Sequence, residues 1–272
     1  MKRLINTFAV LTLLFAGFNS CTQDDSTTSI NDEISNAVLE QIKALGFGTD
    51  NVIKEDDHYI VEGDIILHKR DLEEGAHKQT LLRIAGVEQY HTFNLVTGLP
   101  RTITVTTSGS GITTRLSNAI DGAIARYNAE NLGLTFVRGG SSGGGTINIR
   151  IVNTRQYIAS AGFPTSSGNP YGTISYAKTY ASNTYSENFM TTVIAHEMGH
   201  CIGFRHTDWM SREYSCGGSP VNEGQSTTGV GAVQIPGTPS GPDAGSWMLA
   251  CLSATTNRPF NANDKTALNY LY

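Results

Sequence analysis

The chain gathers none of its 19 lysines and arginines into a basic cluster, and 24 acidic residues leave it at a net charge of −5. That removes the electrostatic footprint of a nucleic-acid binder. Charge of either sign is sparse, at 16 % of 272 residues, which suits a secreted or surface protein. Past the first twenty residues no segment is apolar enough to span a bilayer, and no internal repeat is present. The loop Gly139 to Gly145 lacks the Lys-Ser/Thr ending of a phosphate cradle, which leaves it as a hairpin connection. Cysteine is rare, with four in all and none between residues 22 and 200. Histidine is rare too: seven occur, and after His91 the only ones are His196, His200 and His206.

What is present suffices for one medium domain with a smaller segment before it, since 39 % of residues are hydrophobic. The 29 glycines announce many loops and tight turns. At the N-terminus, Lys2 and Arg3 precede an uncharged apolar run from Leu4 to Phe18. This has the make-up of a secretory signal over residues 1–20, too short and wrongly flanked for a permanent span. Cys21 then stands where an exported bacterial lipoprotein is cut and acylated, although Phe18 and Asn19 depart from the usual residues before it. Residues 21–28 would be a solvated tether. The expectation is an exported protein at the outer membrane or cell surface, held to a membrane only through a lipid on Cys21. Simple secretion is the alternative.

The densest chemistry lies at His196-Glu197-Met198-Gly199-His200-Cys201-Ile202-Gly203-Phe204-Arg205-His206. Two histidines four apart fall on one helical face, one turn apart, and can reach one ion. Gly203 lets the chain leave the helix in an open conformation, which can return His206 as a third ligand. Three imidazoles and one open position form a catalytic rather than a structural zinc site. Glu197, beside the ligands, is placed to take a proton from water. A bare pair of histidines around a glutamate arises by accident in long helices, but the extended pattern fixes five residues.

Three cysteines remain past Cys21. Export favours disulfides, and an odd number leaves one over. The favoured bridge is Cys216–Cys251, pinning the long loop after the motif, with Cys201 as a small buried residue; Cys201 as a bridge partner is the alternative.

Along the chain, Ile30, Ile34, Ala37, Val38, Ile42 and Leu45 give a helical stripe that Gly46 and Gly48 end. Residues 58–67 read as a strand or hairpin, and 71–90 as a polar linker. From residue 99 the pattern becomes α/β. Strands are expected at 101–107, 134–137, 146–152 and 172–177, and a helix with Ile112, Leu116, Ala119, Ile120, Ala123, Ile124 and Tyr127 inward. A second helix over 187–202 would begin near Ser186 or Asn188. Asp208 and Trp209 would pack the exit turn, or touch substrate.

The extended motif resembles that of the metzincin clan of zinc endopeptidases. Gly245-Ser246-Trp247-Met248-Leu249-Ala250 is similar to the clan's Met-turn, which would place Met248 as an apolar floor beneath the metal; an ordinary buried Met is the alternative. Asn263 to Tyr272 resembles the clan's last helix. More narrowly, His200 to Trp209 is similar to the bacterial dual-action HEIGH metallopeptidases, with Met198 in place of their Ile. The likeness runs from about residue 40 to the end. It implies an α/β (α+β) metzincin-type fold of two subdomains, with a mixed twisted sheet, an active-site helix and a Met-turn. The catalytic domain would be 99–272, after a propeptide-like segment and linker over 29–98. It implies one Zn2+ on His196, His200 and His206, Glu197 as general base, and a monomer acting on protein or peptide substrates. The strand 172–177 would be the antiparallel edge strand that binds an extended peptide.

Glu62-Gly63-Asp64-Ile65 resembles a short motif of astacin-type propeptides, whose aspartate caps the zinc and silences the zymogen. Carried over, Asp64 would be the latency switch and cleavage in 71–98 would activate. The alternative is a Gly-Asp turn between two strands. The cysteine-free stretch excludes a cysteine-type switch. Two positions depart from some of the clan: Ala250 stands where a tyrosine can assist the oxyanion, and Thr207 where astacins carry glutamate. No extra oxyanion donor is therefore assigned. Two other readings stay open: a surface lipoprotein whose protease fold only binds a partner, and a zinc amidohydrolase acting on a non-peptide amide.

Overall fold

A computed structural model describes residues 34–75, 89–217, 230–239 and 242–272. The expected signal segment, Cys21 and most of the linker lie outside the described residues.

Four of the described helices start where a polar side chain can close their first turn. Ser35, Thr113, Ser186 and Asn261 sit in extended backbone, and each side-chain oxygen accepts an N–H of the turn that follows. They open α1 (Asn36–Ala44), α3 (Thr114–Asn128), α4 (Glu187–Cys201) and α6 (Ala262–Leu271). Between α1 and α3 run β1 (Ile53–Lys54), β2 (His58–Val61), β3 (Ile65–His68), α2 (Lys69–Gly75), β4 (Tyr90–His91) and β5 (Arg101–Ser108). After α3 come β6 (Leu134–Arg138), β7 (Ile147–Val152), β8 (Ala159–Ala161) and β9 (Thr173–Ala177). The short α5 (Glu213–Cys216) and β10 (Val233–Gln234) lie between α4 and α6.

Eight strands form one mixed sheet in the order β1-β2-β3-β8-β9-β7-β5-β6. β6, β5, β7 and β9 are parallel, β8 is antiparallel to β9, and the hairpin β2–β3 adds at the far side, with β3 parallel to β8. The main core fills the space between this sheet and α3 with α4. The expected stripe Leu116, Ala119, Ile120, Ala123, Ile124 and Tyr127 is buried in it. A second core, with Ile42, Leu45, Phe47, Val61, Ile65 and Leu67, seats the N-terminal segment against Phe163 and Val230. No described helix is long and apolar enough to cross a membrane.

Two local expectations are corrected. The strand at 173–177 is not an edge. It lies between β8 and β7, parallel to β7, with Ile174 and Tyr176 fully buried. The antiparallel strand is β8, whose three residues are too short to show a period. The glycine loop is not a hairpin either. It leaves β6 and crosses β5 to start β7 on β5's other side. Glycine is needed for that crossing: a Cβ on Gly139 would lie 2.6 Å from the Thr106 methyl, and one on Gly145 2.6 Å from the Thr104 carbonyl.

Candidate metal centre and active site

α4 is buried from Phe189 to Cys201, so it carries no polar face to solvent and is held from all sides. His196 and His200 lie one turn apart on it. At its end, Phe204 N returns to the Gly199 carbonyl, and Gly203 turns left-handed at φ 108°. A side chain on Gly203 would also meet the Asn94 carbonyl at 3.1 Å. The exit chain is then clamped by residues 90–92: Thr92 N donates to Gly203 O, and Arg205 N to Tyr90 O. This clamp brings His206 back beside the helix.

The three rings converge, with centroids 4.7 to 5.3 Å apart. His196 Nδ1 donates to the Trp247 carbonyl and His200 Nδ1 to the Phe204 carbonyl, each at 2.8 Å. A carbonyl only accepts, so both protons sit on Nδ1 and both Nε2 lone pairs face inward. Those two Nε2 atoms are 3.1 Å apart and cannot bond each other. His206 Nδ1 faces the Glu62 carboxylate at 3.6 Å. The fourth member is Asp64, whose Oδ2 lies 3.2 Å from His206 Nε2 and 3.3 Å from His196 Nε2. All four donor atoms fall within 4.8 Å of one another. Zinc bonds of about 2.0–2.1 Å in a tetrahedron separate ligand atoms by about 3.3 Å. The observed spacings match, and inward lone pairs this close call for a cation.

Electrostatics agree. Burial, then the neighbouring imidazoles His196 and His206, hold the His200 ring well below its ordinary pKa, so it is a neutral ligand. Burial pushes Asp64 up, but the His206 charge and the close contacts with His196 and His206 outweigh it and keep the carboxyl well below its usual range. Glu197 is 2 % exposed, and its Oε2 has no hydrogen-bond partner. Burial first, and then the Asp64 charge, raise its carboxyl well above the usual value. Asp64 and Glu197 line one cavity together with His196, Tyr157, Val193 and Leu252.

Asp64 arrives on the turn of β2–β3, where Glu62 and Gly63 are left-handed at φ 58° and 94°. So the segment is a turn joining two strands, and the same turn carries Asp64 to the histidines. The Asp64 carbonyl also accepts from Ala161 N at 2.9 Å, and Ile65 pairs with Ala161. The hairpin therefore covers both the converging histidines and the outer edge of β8.

Met248 is fully buried below the helix. A Cβ on Gly199 would lie 2.6 Å from its sulfur and 3.2 Å from Trp247 Nε1. Gly199 thus lets the turn pass close against α4 beside His196 and His200, a role not visible in the motif itself. Gly199→Ala is expected to cost about 1–3 kcal/mol through overpacking. The check is thermal unfolding of metal-loaded protein; an unchanged Tm would refute the contact.

Other residues complete the surroundings of the site, some of them expected from the sequence. Thr207 N donates to Met248 O. Asp208 is buried in the exit turn, accepting from Ala250 N at 3.0 Å and Ser215 Oγ at 2.5 Å, and Trp209 packs edge-on to Tyr90. Cys216 and Cys251 are bridged, while Cys201 is free and buried. Residues 89–98, grouped with the linker by sequence, are part of this construction: Gln89 Nε2 donates to Asp264 Oδ1 at 2.7 Å and to Ser246 Oγ at 3.2 Å. Asp264 Oδ2 accepts from Trp247 N and Asn261 N, joining the start of α6 to the Met-containing turn. The only signal available was a helix-capping carboxylate three residues after Asn261.

Asp264 also makes a pH prediction. Burial raises its carboxyl to about 6 against the pull of its donors. A raised carboxyl means that the folded state binds the extra proton, so stability is highest with Asp264 neutral and falls as pH rises from about 4 through 6. The difference from an ordinary carboxyl corresponds to roughly 3 kcal/mol. Denaturant unfolding across that window should show wild type losing stability relative to Asp264→Asn; parallel curves would refute the shift.

Residues 59–272 match the model of a family described as dual-action HEIGH metallo-peptidases. The chain belongs to this family, whose membership implies zinc-dependent peptidase activity. No curated protein matches it significantly. Two solved structures of myroilysin are similar at low level. One is 17 % identical with a TM-score of 0.34, over 43 % of this chain and 54 % of that one. The other is 16 % identical with a TM-score of 0.39, over 64 % and 83 %. The chain thus spans about half the length of the first, and neither likeness carries an argument about activity.

Proposed function

We propose that the protein is an exported zinc metalloendopeptidase made in a latent form. The single observation behind this reading is the convergence of three inward Nε2 atoms with one carboxylate beside a buried glutamate whose Oε2 has no hydrogen-bond partner. His196, His200 and His206 would hold the ion, Met248 would floor it, and Asp64 would fill the remaining position. When bound there, zinc supplies Lewis acidity to the scissile carbonyl and lowers the pKa of the attacking water. Glu197 accepts that water's proton and returns it to the leaving amine. No acyl-enzyme forms.

Asp64 blocks the centre while β3 covers the edge of β8, where an extended peptide would add as a strand. Release of the segment before residue 89 opens both. The clamp at 90–92 argues that the mature domain keeps residues 89–98, so the cut would fall within 76–88. The leader chemistry supports export, with Cys21 as a lipid anchor and the enzyme a monomer.

The test uses the chain from Thr22 onward with Glu197→Ala alongside, assaying zinc and digestion of an unfolded protein before and after limited trypsin treatment. Wild type should hold zinc in the active centre and cut after trypsin, while the variant holds zinc and does not cut. Zinc binding with no cleavage under either condition would move the partner-binding or non-peptide amide readings ahead.

A further inference from the structure

The open end of the β2–β3 hairpin carries a second cluster. His58 and His68 are cross-strand partners, with ring centroids 5.7 Å apart. Asp57 reaches between them: its Oδ1 is 2.7 Å from His58 Nδ1 and its Oδ2 4.0 Å from His68 Nδ1. One donor atom from each residue falls within 4.8 Å of the others. The outer ring nitrogens are also engaged. His58 Nε2 faces Glu55 Oε2 at 3.3 Å, and Tyr157 donates to the other oxygen of Glu55. His68 Nε2 meets Tyr171 Oη at 2.9 Å.

A simple His–Asp hydrogen bond accounts for His58 and Asp57 alone. It does not account for His68 turning Nδ1 to the same carboxylate at 4.0 Å, beyond hydrogen-bond reach. Outer nitrogens held by a carboxylate and a hydroxyl, with inner nitrogens aimed at a shared anion, form the support pattern of metal-binding imidazoles.

We propose that Asp57, His58 and His68 form a second binding site for a divalent ion of the zinc class. Two nitrogens and one oxygen suit zinc, copper or nickel, whereas calcium and magnesium require more oxygens. Asp57 is exposed, so the site fills from solution and water completes its coordination. Its position gives it a consequence that rests on the latent-enzyme reading. The ion would tie together the two strands whose turn holds Asp64 and, through Tyr171 and Tyr157, fix them to the catalytic sheet.

The experiment is a zinc titration of the full chain from Thr22, read by chelator competition and by metal content after gel filtration. Wild type should take a second, weaker zinc. His68→Gln and the surface change Asp57→Asn should remove it, and Glu55→Gln should weaken it by about 10–100-fold. His200→Ala should lose the first site and keep the second, which separates failure here from failure of the active-centre reading. A single zinc per chain in wild type, or a second zinc that survives both Asp57→Asn and His68→Gln, overturns the proposal.

Discussion

Asp64→Ala is expected to make the unprocessed chain active. The carboxylate lies 3.2 and 3.3 Å from the Nε2 atoms of His206 and His196, on the ligand position that the attacking water needs. A group that holds this position by about 3 kcal/mol closes the centre by a factor on the order of 10². Unprocessed wild type should therefore be slower than its trypsin-treated form by at least that factor, and Asp64→Ala should close most of the gap without a cut. Asp64→Asn should fall between, since an amide keeps an oxygen but loses the charge. The pH profile carries a second signature. The Asp64 charge is one cause of the raised Glu197 carboxyl, so its removal should move the acid limb of the rate profile to lower pH. If the unprocessed variant stays as inactive as wild type, β3 on the sheet edge blocks the site by itself and Asp64 is not the latch.

The second large effect belongs to Glu197→Gln. Activity should fall by about 10²–10⁴-fold, the contribution of a positioned proton carrier. Metal content should not change, because Glu197 is not among the converging donors. Stability should hold or rise. The residue is buried, and one oxygen has no hydrogen-bond partner, so a neutral isostere removes a cost that the fold carries for the sake of chemistry. Activity, zinc content and unfolding measured on one preparation decide the matter. Loss of metal together with activity would show that the residue supports the ion rather than moving a proton.

The legible parts of this protein are those whose partners lie within a turn or two of chain. His196, His200 and Gly203 could be read because helix geometry fixes where neighbours four apart point, and Ser186 because a cap needs only the N–H three residues on. Asp64 was readable only through a short likeness, since nothing local says that the tip of a hairpin ends 142 residues away at His206. The path through Gln89, Asp264 and Trp247 was out of reach for the same reason, being made by residues up to 175 apart. The strand at 173–177 was legible as a short run after turn residues, but such a pattern names a strand and not its neighbours, so its place beside β7 could not be derived. The glycine loop failed differently: composition showed that something tight happens there, and only the threonines of β5 show that it is a crossing.

The Cys216–Cys251 bridge spans 35 residues, and the chain between them includes Met248. An enzyme that digests proteins meets its own exposed loops at high local concentration. A cut between Cys216 and Cys251 would leave a two-chain molecule still joined through sulfur, with Met248 retained against α4 wherever the nick falls before Gly245. Self-inflicted nicking of that stretch would therefore be visible on a reducing gel while the catalyst keeps working.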